Sequence, residues 1–167
     1  MFIKLPYKIV ILLTFFIITG CDKTAPTFYE KSTSKQFTDV LQDIEFIITE
    51  YNFRITGRLH IGEAIQDRGI VDFPDNEVIL FCNLSLAEDM LKIEPQYINY
   101  CPYKIAVFVK NNEIVLSTHL LPESTDNVNL DNIAKKINII LRSMIEYVAS
   151  NDPFNVQPNT TEILEYE

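Results

Sequence analysis

The spacing of apolar residues changes at Asn52, and that change limits the folds open to this chain. Before it, Phe37, Val40, Leu41, Ile44, Ile47, Ile48 and Tyr51 recur at three- and four-residue intervals. Residues so spaced share one face of a helix, and that face must be buried. Thr33 and Gln36 ahead of it have the spacing of a capping box. After Asn52, Phe53, Ile55, Leu59 and Ile61 alternate with Arg54, Thr56, Arg58 and His60, the two-residue period of a half-buried strand. Asn52 suits a left-handed helix stop. Gly57 falls on the apolar side of the strand and marks a bulge or a close backbone approach.

The rest of the chain continues this alternation of elements. Phe28 to Thr33 reads as a short first strand, and Gly62 to Arg68 as a short helix stopped by Gly69. Pro74-Asp75-Asn76 is a turn signal. The continuous apolar run Val78 to Cys82 then predicts a central strand covered on both faces, or at least deeply placed. Ser85 and Glu88 have a second capping-box spacing and open a helix through Ala87, Met90 and Leu91 that Pro95 ends. Tyr103 to Val109 and Glu113 to His119 flank Asn111-Asn112, a pair that suits the positive φ angles of a tight hairpin. Beyond a polar linker, Leu130, Ile133, Ala134, Ile137, Ile140, Leu141, Met144 and Val148 form the stripe of a long helix. The order strand, helix, four strands, helix predicts a two-layer α+β domain with a mainly antiparallel sheet and helices on one face. Its other face must stay wet, hold a ligand or meet a partner.

The N-terminus carries an address. Lys4 and Lys8 precede an apolar run from Ile9 to Ile18, and small residues then lead to a cysteine, as Ile18-Thr19-Gly20-Cys21. A charged start, a short apolar core and a small-residue cleavage site make a secretory signal. The core is half the roughly 20 residues needed to span a bilayer. The four residues resemble a bacterial lipobox, cut before Cys21, with lipid attached to that cysteine. The expected organisation is a signal over 1–20, a tether over 21–27, a domain over 28–150 and a mobile acidic tail over 151–167. No cofactor is expected besides the covalent diacylglycerol-type lipid on Cys21, and the acyl chains supply the membrane attachment. Asp22 resembles the signal that retains lipoproteins in the inner membrane, facing the periplasm. Without residues 1–20 the chain has 12 Lys+Arg against 23 Asp+Glu, a formal charge of −11. Such a surface repels phosphate backbones, so nucleic acid is not an expected partner.

The run Val78-Ile-Leu-Phe-Cys-Asn-Leu-Ser-Leu-Ala87, followed by Met90-Leu91 and Glu94-Pro95, resembles the domain-of-unknown-function family 302. Cys101-Pro102-Tyr103-Lys104-Ile105-Ala106-Val107 resembles the family's next strand, and Asn52-Phe53 and Ile61-Gly62-Glu63-Ala64 fit upstream pieces. The similarity runs over roughly residues 37–149. It implies a TATA-binding-protein-like order, strand-helix-four strands-helix. It does not bring DNA binding with it, and it names no activity. The family's usual cysteine follows the proline, where this chain has Tyr103, so no role of that thiol transfers to Cys101.

Few residues offer chemistry. With Cys21 lipidated, Cys82 and Cys101 remain, and outside the cytoplasm they either pair as a disulfide or stand as two separate thiols. His60, Cys82, Cys101 and His119 are the only soft metal donors, but no close Cys-Cys or His-His pair provides a local chelate, so no metal is expected. No nucleophile elbow or glycine-rich phosphate loop occurs, and the chain has four glycines. Glu45, Glu50, Asp39 and Asp43 read as the solvated side of the first helix. Asn83, Tyr100, Pro102 and Tyr103 are candidates for a ligand or partner surface, with Tyr97 nearby. The expectation is a lipid-anchored, non-enzymatic binding module for a protein or small molecule, with a homodimer through the bare sheet face as one form. The alternative is a redox or metal-handling protein built on Cys82 and Cys101.

Overall fold

Strands β1 (Phe28–Thr33), β2 (Arg54–Leu59), β3 (Asn76–Cys82), β4 (Tyr103–Lys110) and β5 (Glu113–His119) pair in the order β1-β5-β4-β3-β2, every pair antiparallel. Helices α1 (Phe37–Glu50), α2 (Ile61–Gln66), α3 (Leu84–Ile93) and α4 (Val128–Ala149) connect or follow them, with a 3-10 helix over Pro95–Tyr100. This computed structural model describes residues 28–152. The signal, Cys21, Asp22, the tether and the tail beyond Asp152 lie outside the described residues. The fold is α+β, in the order strand, helix, four strands, helix that the periodicity predicts.

β1 and β2 are the two edges of the sheet, so α1 must cross its full width to join them. It does so beside α4, and both bury their stripes on one face of the sheet. Val40, Ile44 and Ile48 from α1 meet Ile137, Leu141, Met144 and Ile145 from α4 in the same core as Ile79, Phe81, Ile105, Val107 and Leu116 from the strands. Each such side chain contributes about 1.5–3 kcal/mol by leaving water. The hairpin turn has φ of 54° at Asn111 and 63° at Asn112, and Asn52 ends α1 at φ 58°. All three are asparagines, whose short side chains tolerate left-handed backbone.

Buried and half-buried polar groups fix the joints. Asn138, 1 % exposed, accepts from the Leu121 N–H at 2.8 Å and donates to the Leu121 carbonyl at 2.9 Å. It thereby clamps the linker between β5 and α4. Lys35 Nζ donates to the Val148 carbonyl at 2.9 Å and pairs with Asp43 at 2.8 Å, placing a cation at the C-terminal end of α4, where the helix dipole favours it. At Gly62 a Cβ would lie 2.6 Å from the Asn76 nitrogen and 2.9 Å from the Pro74 carbonyl oxygen. Only a glycine lets α2 lie so close to the chain entering β3.

Several expectations are corrected. Neither capping box forms. The α1 N-cap is Gln36 with no side-chain bond, while Thr33 Oγ1 accepts from the Lys35 N–H. Asn83 caps α3 by accepting from the Ser85 and Leu86 N–H groups, and Glu88 instead pairs with Lys92. Pro95 ends α3 but starts the 3-10 helix. β3 is covered on one face only: Glu77, Ile79 and Phe81 are buried, while Asn76, Val78 and Leu80 are half-exposed. In β2 the register slips between Ile55 and Gly57, so the alternation inverts. Arg58 then aligns with Ile79 on the helix side, and Leu59 and Ile61 are exposed.

Candidate functional site

Two regions of the sheet are candidates, one at its end and one across its open side. At the end where β3 finishes and β4 begins, α3 and the 3-10 helix loop out and return. Cys82 closes β3, Cys101 precedes a cis peptide bond to Pro102, and the two sulfurs stand 2.9 Å apart. The sequence-predicted pair is therefore in contact, unbonded at that separation. Burial, then the hydrogen bond and charge of Cys82, push the Cys101 thiol up to about 12. A thiol held so firmly protonated is a poor nucleophile at neutral pH. Two sulfurs in contact retain one further chemistry, two-electron oxidation to a disulfide.

The surrounding side chains divide into packing and surface. Tyr103 is 3 % exposed and packs edge-on against Phe53, with Phe81 beside it. It belongs to the core, because its place in β4 turns it to the helix side opposite Phe81, which corrects its reading as a surface residue. Its hydroxyl is buried without a hydrogen-bond partner among the described residues, and burial holds it well above the usual tyrosine range. Asn83 is also occupied structurally: besides capping α3, its amide donates to the Asn52 carbonyl at 3.0 Å. Tyr100 is half-buried between Tyr97 and His119, with ring centroids at 5.1 and 5.7 Å. Pro102 is exposed. Burial, helped by Lys104, lowers the His119 pKa, so the ring is neutral at pH 7.

The four metal donors do not converge as a set. His119 lies at the Cys82–Cys101 end of the sheet, but His60 lies at the other end, 3.1 Å from Glu77. Among the described residues no group of three His, Cys, Asp or Glu side chains is placed to hold a metal.

At that far end the structure reveals a network absent from the sequence reading. Glu77, 6 % exposed, accepts from Arg58 at 3.2 Å and meets His60, while Arg58 also pairs with Glu45 of α1. Glu45 is thus not merely solvated. A carboxylate two residues before Ile79 in the core-facing register of β3 was the available signal. The arginine that satisfies it was hidden by the inverted alternation in β2. The network ties α1 to the sheet.

The open side of the sheet is chemically different. Phe108, Ala106, Val78, Leu80 and Leu59 are neighbours across β4, β3 and β2, on the face away from the helices, and all are half-exposed or exposed, whereas Val115 beside Phe108 on β5 is buried. Lys104, Lys110, Glu30 and Glu113 surround this apolar strip. A depression of about 230 Å³ near the hairpin, lined by Glu30, Lys31, Ser32, Lys110, Asn111, Glu113 and Val115, is the relief at its margin. That volume is below the roughly 300–1,000 Å³ of ordinary small-molecule pockets. The geometry suits a broad contact better than an enclosed ligand.

Comparison with known proteins places the architecture. The family described as "Domain of unknown function DUF302" matches residues 29–148. The chain belongs to the DUF302 family. The DUF302 fold is also found in the crystal structure of an uncharacterised conserved DUF302 protein from Bacillus stearothermophilus, with a TM-score of 0.65 and 17 % identity, covering 75 % of this chain and 100 % of that one. At that identity the likeness establishes the fold alone. No curated protein matches the chain. The DUF302 assignment therefore accounts for the sheet and its helices, and the chemistry must be argued from this chain's own residues.

Proposed function

We propose that this protein is a lipid-anchored component of the bacterial envelope whose DUF302 domain is a non-enzymatic binding module. The observation that carries the reading is the one-sided sheet. Its helices cover one face, and the other bears a continuous apolar strip with a charged margin. An apolar centre inside a polar rim is the composition of a protein-contact surface. The anchor rests on the charged, apolar and small-residue order ending at Cys21. Six residues, 22–27, separate Cys21 from β1. Fully extended they span about 20 Å, so the domain works close to a membrane surface. Asp22 favours the inner membrane, facing the periplasm.

Ala106 lies in the middle of the strip, opposite Val78 on one side and Ser117 on the other. Ala106→Arg adds a long charged side chain there without entering the core. In mild detergent, the full chain extracted from its own membranes is expected to migrate as a complex larger than the lone lipoprotein. The variant is expected to migrate alone while its melting curve stays that of the parent. A complex that survives Ala106→Arg, or a parent protein that is always extracted as a monomer, refutes the binding face. Cys21→Ser tests the anchor separately and is expected to move the protein from the membrane to the soluble fraction.

A further inference from the structure

We infer that Cys82 and Cys101 join in an intramolecular disulfide that clasps the segment carrying α3 and the 3-10 helix, as a lasting cross-link and not a shuttle of electrons. The sulfurs are 2.9 Å apart, within about an ångström of the covalent length of roughly 2.05 Å. The core holds both backbones in place. Phe81, 0 % exposed, precedes Cys82, and Tyr103, 3 % exposed, follows Cys101 by two residues. Their rings lie 6.1 Å apart. The thiols therefore meet without a conformational search.

Accessibility sets the order of events. Cys82 is buried and Cys101 only partly so, which leaves Cys101 as the sulfur that an oxidant reaches. The oxidant is a molecule bearing a disulfide. The Cys101 thiolate attacks one of its sulfurs, a bond forms between them, and the first oxidant thiolate leaves and takes up the proton from Cys101. The Cys82 thiolate then attacks the Cys101 sulfur, the mixed disulfide breaks, and the second oxidant thiolate leaves with the proton from Cys82. Two protein thiols are oxidised, one external disulfide is reduced to two thiols, and no other reagent is consumed. Durability follows from the same surroundings. Dithiols that oxidise others keep their reduced form stable as a low-pKa thiolate, and a thiolate of high pKa is a slow leaving group. The environment of Cys101 gives the reduced form no such stabilisation. The inference draws on the envelope location only for the source of the oxidant.

The test has two arms on the full chain. In the first, cells of an exporting bacterium are quenched in acid, and free thiols are alkylated before detergent extraction and digestion. The expected product is a linked peptide pair carrying Cys82 and Cys101, unalkylated and about 2 Da lighter than the two thiol peptides. In the second, purified and fully reduced protein is mixed with oxidised glutathione and then moved to excess reduced glutathione. The same cross-link is expected to form and to persist. Cys82→Ser is expected instead to stop at a mixed disulfide between Cys101 and glutathione, which identifies the first sulfur attacked. Two alkylated thiols in both arms overturn the inference. So does a cross-link that reopens in excess reduced glutathione, which describes a shuttle. Alkylated thiols in cells with a persistent cross-link in the purified protein uphold the clasp and count against export. None of these outcomes bears on the Ala106→Arg test of the open face, so the two proposals fail separately.

Discussion

The reactivity of Cys101 in the reduced protein gives a quantitative prediction. Its thiol is pushed up to about 12, so about one molecule in 10⁵ carries the thiolate at pH 7. An unperturbed thiol of pKa about 8.5 is a few per cent ionised at that pH, a difference in population of about 3,000-fold. A more basic thiolate is intrinsically more nucleophilic, with a Brønsted slope of about 0.4–0.5, which returns some 30- to 60-fold. Cys101 is therefore expected to react with iodoacetamide about a hundredfold more slowly than free cysteine at pH 7. The pH profile is the sharper readout. The rate is expected to climb about tenfold per pH unit from 7 to 10 with no plateau, whereas an ordinary thiol levels off near 9. Burial is the largest cause of the shift and Cys82 supplies the remainder, so Cys82→Ala is expected to speed the reaction without restoring an ordinary thiol. Tyr103, close to this sulfur, is held by burial well above the usual tyrosine range and stays neutral across it. A rate equal to free cysteine, or a plateau by pH 9, refutes the reasoning. The same shift links to stability. The folded pKa lies above the unfolded one, so its contribution is fully present below about pH 9 and is lost as pH rises toward 12. The urea midpoint of the reduced protein is expected to fall above pH 9, and that of the cross-linked protein to lack this component.

Three other perturbations have expected outcomes. Asn138→Leu keeps the volume but strips partners from the buried Leu121 N–H and carbonyl, at about 1–3 kcal/mol for each group; a urea titration is expected to find a loss of about 3 kcal/mol, and a loss under about 1 contradicts the clamp. Gly62→Ala drives a methyl group to 2.6 Å from main-chain nitrogen, so α2 or the 74–76 turn must shift; the cost is expected to be about 1–3 kcal/mol, with faster amide exchange at Asn76. Closing the 18 residues between Cys82 and Cys101 is worth about 3 kcal/mol in the chain-entropy account, so reduction is expected to lower the urea-derived stability by about that much.

The sequence was most informative where a residue's environment is set by its near neighbours. The stripes of α1 and α4, the hairpin at Asn111-Asn112 and the stop at Asn52 are all local patterns, and each appears where the pattern predicts. The capping boxes fail because spacing alone does not say which residue leaves the helix: Asn83, one residue ahead of α3, accepts both N–H groups itself. Gly57 announces irregularity, but its consequence depends on β3. Only the paired strand places Arg58 over Glu77 and leaves Leu59 in solvent. The run Val78 to Cys82 signals a strand with apolar residues on both faces, and the helices cover just one of them. That surplus of apolar surface is the open strip. Cys82 and Cys101 meet because β3 and β4 are adjacent, which no single-strand pattern fixes. Tyr103 was misjudged for a related reason. A tyrosine beside an exposed proline looks superficial until its register assigns it to the core.

The open face of the sheet is proposed to meet a protein partner at the membrane. The most direct measurement places a photoreactive side chain at Ala106 of the full-length protein in living cells, with a matched one at Asp39, on the exposed side of α1, as control. A discrete covalent adduct is expected from Ala106 alone, whose mass names the partner and reads as twice the chain if that partner is a second copy. Equal labelling from both positions, or no protein adduct from Ala106, contradicts it.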